Sequence, residues 1–151
     1  MHQAEQMGVS LHLPQDVVVA QDFNHPVAQT KEIADMKNTD VIMDIGIKSA
    51  KALAQVVGQC HTILWNGPVG VFEKKGFENG TQMLTCAICE ATQKGAFSIA
   101  GGGDTIAAIN QFNASCDISY ISTGGGAFLE CIEGKELPVI KILKEKVQDI
   151  G

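Results

Sequence analysis

Ser98-Ile99-Ala100-Gly101-Gly102-Gly103-Asp104-Thr105-Ile106-Ala107 decides the fold: an apolar strand breaks into three glycines and restarts as a helix whose first turn carries an acid. Glycine lets the backbone approach a ligand closely and adopt dihedrals that other residues resist, so the free N–H groups at the start of the following helix can converge on an anion. The pattern predicts a phosphate seat. A carboxylate beside bound phosphates repels them unless a divalent cation sits between, so Asp104 points to Mg²⁺ as much as to a nucleotide. Were this the only such turn in the chain, a helix-capping Asp would explain it better.

Two further segments share the pattern. Ile63-Leu64-Trp65 leads into Asn66-Gly67-Pro68-Val69-Gly70-Val71-Phe72-Glu73, and Ile118-Ser119-Tyr120-Ile121 leads into Ser122-Thr123-Gly124-Gly125-Gly126-Ala127. In an open parallel sheet ligands sit outside the carboxyl ends of the strands, so glycine loops on neighbouring strands would line one crevice. Two other glycine motifs are excluded. A dinucleotide fingerprint starting at Gly101 needs Gly or Ala where Ile106 stands, and a Walker A loop needs a lysine directly after its last glycine.

Strand and helix signals alternate along the chain, which predicts an α/β fold, a partial Rossmann-like parallel sheet with flanking helices. The strand candidates are Val17 to Ala20, Val41 to Ile45, Thr62 to Trp65, Ala96 to Ala100 and Ile118 to Ser122, mostly too continuously apolar for half-exposed antiparallel strands. Ala50, Leu53, Ala54 and Val57 repeat at helical spacing, as do Leu84, Ala87, Ile88 and Ala91, so both segments read as amphipathic helices. Asn79-Gly80-Thr81 starts the second of these and Gly95 ends it, Ile106 and Ile109 anchor the helix after Asp104, and Pro138 to Val147 reads as a final helix.

At 151 residues and 45% hydrophobic content the chain can bury a core, and with no linker-like stretch residues 1–151 read as one domain. The formal charge of −6, with no Lys/Arg run, disfavours nucleic acid and membrane surfaces as partners. With no signal-peptide pattern at Met1-His2-Gln3 and no long apolar run, the expected location is the cytoplasm. Cys60, Cys86, Cys89, Cys116 and Cys131 fit reduced thiols rather than a disulfide frame, with burial as the default. The lone Cys86-x-x-Cys89 lacks a second ligand pair for zinc, and its apolar setting predicts a packed helix. His2, His12, His25 and His61 show no metal-ligand spacing and read as surface or loop residues.

WNGPVGVFE (65–73), SIAGGGDT (98–105) and YISTGGGAFLE (120–130), in this order, resemble phosphoglycerate kinase almost letter for letter, and the likeness runs through Glu133-Gly134-Lys135-Glu136-Leu137-Pro138. It extends over essentially the whole chain, from Gly8-Val9 and Leu13-Pro14-Gln15-Asp16 onward, but over less than half of that family's length. The resemblance implies the later part of the C-terminal, nucleotide-binding lobe of a two-lobed kinase, whose reaction is reversible phosphoryl transfer between ATP and 3-phosphoglycerate in glycolysis. It further implies that Gly102, Gly103 and Thr105 offer N–H groups to the transferring phosphoryl group or nucleotide phosphates, with Gly102, Gly103 and Asp104 catalytic and Asp104 holding the Mg²⁺ of MgADP or MgATP. Glu73 would take the ribose hydroxyls, against the alternative of a solvated acid beside Lys74 and Lys75. Asn66, Pro68 and Val71 would complete the nucleotide contacts, and Ser122, Thr123, Gly124 and Gly125 would lie at the cleft near the hinge. The family's basic 3-phosphoglycerate cluster and its phosphate lysines have no counterpart, so the resemblance implies an inactive isolated chain with an uncovered face prone to self-association. The alternative is a non-catalytic remnant with weak or no nucleotide binding. Ile42 and Ile47 depart from the commonest family pattern, which has Gly and Pro there, and bear on the wall of the adenine pocket.

Overall fold

The computed structural model describes residues 2–24, 26–138 and 140–142. After a short helix α1 (His2–Gln6) come β1 (Asp16–Ala20), β2 (Gln29–Glu32), β3 (Val41–Ile45), α2 (Ile47–Val57), β4 (Thr62–Trp65), α3 (Asn79–Gln93), β5 (Phe97–Gly101), α4 (Gly103–Gln111), β6 (Tyr120–Ser122) and α5 (Gly126–Ile132). Pro138 and residues 140–142 are helical, while the rest of the expected final helix lies outside the described residues. The same holds for His25; His2, His12 and His61 are exposed, as expected.

The strands form two sheets of different kinds. β4, β5 and β6 make a parallel sheet in the order β4-β5-β6, with Trp65 opposite Ala100 and Gly101 opposite Ser122. The other three form an antiparallel sheet in the order β2-β1-β3. The expected parallel placement of the strands at Val17–Ala20 and Val41–Ile45 is therefore corrected. Val17 to Ala20 of β1 are continuously apolar because β1 is the buried central strand of its sheet, and continuous apolar character reports burial on both faces rather than strand direction. β2, with the polar sequence Gln-Thr-Lys-Glu, carries no apolar signal because it is an exposed edge strand.

Helix packing follows the predicted stripes. Leu84, Ala87, Ile88 and Ala91 of α3 are all buried, and they meet Ile63, Trp65, Ala100, Ala108 and Ile109 in the main core. α3 packs on α2, α4, β3 and β5, so it is the layer shared by both sheets. Gly95 stops it with φ +104°, the left-handed conformation that closes a helix. Four cysteines depart from the default of burial: Cys86 and Cys131 are exposed, and Cys60 and Cys89 are half-buried free thiols. On α3, Cys86 falls outside the stripe that faces the sheet, while Cys89 packs at the margin of the core, where burial pushes its thiol up to about 11.

α2 starts at Gly46, which has no side chain to cap it, and the cap comes from β1 instead. The Asp16 carboxylate accepts the N–H groups of Lys48 (3.0 Å) and Ser49 (2.8 Å), and a Cβ on Gly46 would stand 2.1 Å from its carboxyl carbon. Burial works to raise this acid, but the Ser49 hydroxyl and the backbone donors outweigh it and hold Asp16 below the usual range. Ile47 occupies the first helical position, where proline is pre-organised but not required.

Candidate functional site

The three glycine loops leave the same edge of the parallel sheet because β4, β5 and β6 run in one direction and end in register. At the centre, β5 ends at Gly101, and Gly102 turns the chain with φ +95° and ψ 144° into α4, which starts at Gly103. Each glycine of the triplet has a different reason. A Cβ on Gly101 would lie 2.6 Å from the Phe128 ring of α5, Gly102 holds a dihedral that L side chains resist, and Gly103 has open space around it. The N-terminus of α4 thus faces outward with nothing crowding its first residue.

One hydrogen bond joins this turn to the neighbouring loop. Thr105, only 1% exposed, accepts the Gly67 N–H on its Oγ1 at 2.7 Å, and the Asn66 Oδ1 would be 3.2 Å from a Cβ on Gly102. Asn66, Gly67, Gly102 and Thr105 are brought together although they lie far apart in sequence. Trp65 fixes the same turn by donating from its indole N–H to the Gly67 carbonyl at 2.8 Å.

The rest of the 66–78 loop is held at successive points. Val69 N–H donates to Thr81 Oγ1 (3.2 Å), Val71 N–H to the Met43 carbonyl (2.7 Å), and the Gln111 amide to the Phe72 carbonyl (3.0 Å). Phe72 and Phe77 are buried, Phe72 with its ring 6.3 Å from that of Phe112 and Phe77 against Met43 and Ala20. This anchoring leaves Asn66, Glu73 and Lys75 exposed, with Pro68 and Val71 half-buried. Lys74 is drawn away from Glu73: its ammonium donates to the Phe23 carbonyl and stands 3.9 Å over the Phe23 ring. Glu73 has no hydrogen bond or ion pair among the described residues, and no measured contact ties it to the turn at Gly102.

Asp104 is exposed in the first turn of α4. Among the described residues no group of three or more His, Cys, Asp or Glu side chains converges as a metal cage. A lone carboxylate at a helix start fits Mg²⁺ of the kind that keeps water and phosphate oxygens as its other ligands. On the third loop, Ser122 is buried and accepts the Gly124 N–H at 3.3 Å, Gly125 takes φ +52°, and Thr123 and Gly124 are exposed. Asp44, which accepts the Gly80 N–H, and Gln111 are supports that no sequence motif announced, while Thr81 and Phe128 lie in segments read for other reasons. Each acts on a residue distant in the chain.

Fold and site define an α/β protein in which three strand–glycine-loop units open on one edge of a parallel sheet. The chain belongs to the phosphoglycerate kinase family: the model of the family described as Phosphoglycerate kinase matches residues 1–135. It is 51% identical over 144 residues to the phosphoglycerate kinase of Francisella philomiragia, covering 95% of this chain and 36% of that protein. It is 53% identical over 138 residues to that of Histophilus somni, covering 91% and 36%. The structure of phosphoglycerate kinase from Coxiella burnetii superposes with a TM-score of 0.89 at 44% identity, over 96% of this chain and 37% of that one. Phosphoglycerate kinase from Pyrococcus horikoshii OT3 gives a TM-score of 0.72 at 35% identity, over 87% and 32%. The chain therefore spans about 36% of the length of these curated relatives. Among the described residues no helix is long and apolar enough to cross a membrane.

Proposed function

We propose that this chain is the nucleotide-binding segment of a phosphoglycerate kinase, the later part of its C-terminal lobe, holding MgADP or MgATP at the carboxyl edge of the parallel sheet. The observation that carries this proposal is the Thr105–Gly67 hydrogen bond, which sets two glycine loops side by side at the open N-terminus of α4. Phosphoryl transfer needs charge neutralisation and alignment more than covalent help. Backbone N–H groups at Gly102, Gly103 and Thr105 serve that need, with Glu73 toward the ribose and Asn66, Pro68 and Val71 flanking the nucleotide. Mg²⁺, held by Asp104, would neutralise phosphate charge. Ser122, Thr123, Gly124 and Gly125 would border the cleft.

The parent reaction is reversible transfer between ATP and 3-phosphoglycerate, giving ADP and 1,3-bisphosphoglycerate, in the cytoplasm. 3-Phosphoglycerate requires the family's other lobe, to which no part of this chain corresponds. Holding both reactants together accounts for ~7–11 kcal/mol of barrier lowering, so the chain alone should show no turnover.

The test is a titration of MgADP followed by amide chemical shifts. Shifts concentrated at residues 66–73 and 101–105 are expected, and shifts centred on Cys86 and Cys89 would sink the assignment. No shift at all would favour the second possibility, a remnant that binds no nucleotide.

A further inference from the structure

We propose that Asp44 is a positioning residue for the candidate nucleotide loop: its carboxylate, set between the backbones of Gly70 and Gly80, fixes the path on which residues 66–78 present Val71 and Glu73. The proposal rests on the nucleotide assignment above only for the identity of the ligand that the loop meets.

The geometry starts with a bulge. β1 pairs Val18 with Asp44 and Val19 with Ile42, so Met43 is an extra residue in β3. A bulge breaks strict alternation, and here two consecutive residues, Met43 and Asp44, are both fully buried. The Met43 carbonyl, freed from the ladder, accepts the Val71 N–H at 2.7 Å. Asp44, 0% exposed, accepts the N–H of Ile45 on Oδ1 and that of Gly80 on Oδ2, both at 2.8 Å.

The middle of the loop and the start of the helix it enters both press on that side chain. A Cβ on Gly70 would fall 2.2 Å from Asp44 Oδ1, and one on Gly80 would fall 2.3 Å from it, so any larger residue at either position would displace the acid. Gly70 lies just before Val71 and Glu73, and Gly80 is in the first turn of the helix that the loop enters. One carboxylate therefore spans the loop at its middle and its end. An apolar side chain would fill the space but leave the Gly80 and Ile45 donors without partners.

No cation answers Asp44 among the described residues, and the charged group that faces it is Glu78, at the end of the loop. β1 presents Val18 to it in the ladder and the loop presents Gly70. Burial pushes the acid up to about 6, opposed by the Gly80 and Ile45 N–H groups and assisted by Glu78. Near neutral pH the carboxylate accepts both donors. Protonation converts one oxygen to a hydroxyl that needs an acceptor of its own, and the loop contact must readjust.

The experiment follows the amides of Gly70, Val71, Glu73 and Gly80 in the free chain from about pH 5 to about pH 8, in the wild type, Asp44→Asn and Asp44→Glu. In the wild type these amides should move together with the Asp44 carboxyl carbon, and the movement should vanish in Asp44→Asn. MgADP is then titrated into each protein at both ends of the range. Asp44→Asn should weaken binding roughly tenfold, with the pH dependence of binding lost. Loop amides that stay still while Asp44 titrates would overturn the proposal, whether or not the variants fold. Loop amides that move in a wild-type chain giving no response to MgADP would uphold the positioning role and refute the nucleotide assignment instead.

Discussion

Thr105 and Asp104 are adjacent but sit in opposite environments, one buried and one exposed. Thr105→Val keeps the shape of a buried side chain but removes the acceptor for the Gly67 N–H, so it should cost about 1–3 kcal/mol of stability, while Thr105→Ser should restore most of it. Urea denaturation of the three proteins checks this. Asp104 is exposed, so Asp104→Asn should leave stability within about 0.5 kcal/mol and instead reduce the Mg²⁺ requirement of ADP binding. Titrations with and without Mg²⁺ would show it. The two buried acids, Asp16 and Asp44, have opposite pH signs. Asp44, raised from 3.8 to about 6, contributes stability that is fully present below pH 3.8 and is lost as pH rises through 6. Asp16, lowered from 3.8, contributes stability present above that value and lost as pH falls through its folded pKa. Denaturation midpoints measured against pH should therefore lose their decline between about pH 4 and about pH 6 in Asp44→Asn, and lose part of the acid-side fall in Asp16→Asn.

At the scale of elements, the unit that matters is β5, the glycine triplet and α4. Gly102→Ala should destabilise by about 1–3 kcal/mol, because φ +95° is costly for any L side chain and the new Cβ would crowd Asn66. Gly101→Ala should disturb α5 through the Phe128 ring. Gly103→Ala meets nothing within 4 Å and starts a helix, so it should be neutral or slightly stabilising while impairing any ligand seated on the α4 N-terminus. Thermal melts of the three variants would rank them, and a Gly103→Ala as damaging as Gly102→Ala would contradict the assignment of strain. Much of this unit was legible from sequence: the strand, the turn and the helix start follow from local propensity. β3 and β4 begin and end at the residues their sequence predicts. β2 was not legible, because an edge strand bonded to one neighbour needs no apolar pattern.

At the scale of the whole molecule, one face of the parallel sheet is exposed among the described residues. Leu64, Ile99 and Tyr120 lie opposite one another across the parallel sheet, and Leu64, Phe97 and Tyr120 are 46%, 51% and 56% exposed. The helices of the main core pack on the other face, where Ile63, Trp65 and Ala100 point, and the Phe128 ring of α5 stands against Gly101 at the end of β5. A parallel sheet is ordinarily buried on both sides. An exposed apolar face of this kind favours self-association. Light scattering should therefore show concentration-dependent association, and Leu64→Lys with Tyr120→Lys should reduce it without loss of fold, since neither side chain is in the core. Scattering that does not change with concentration would contradict it. A coupled assay of the chain with MgATP and 3-phosphoglycerate should show no turnover, and turnover from the chain alone would show that the reaction does not need the family's other lobe.

The sequence by itself determined the class of fold, the three glycine loops and the helical stripes, because each depends on residues within one turn or one strand of each other. The family motifs supplied the expected ligand and the roles proposed for Glu73 and residues 102–105. Tertiary structure alone decided that β1 and β3 pair antiparallel, that Asp16 caps a helix 32 residues further on, and that Asp44, Thr81 and Gln111 hold the loop bearing Glu73. Those contacts join residues distant in sequence, and their sign depends on burial and on which donor arrives. Neither is encoded at any single position.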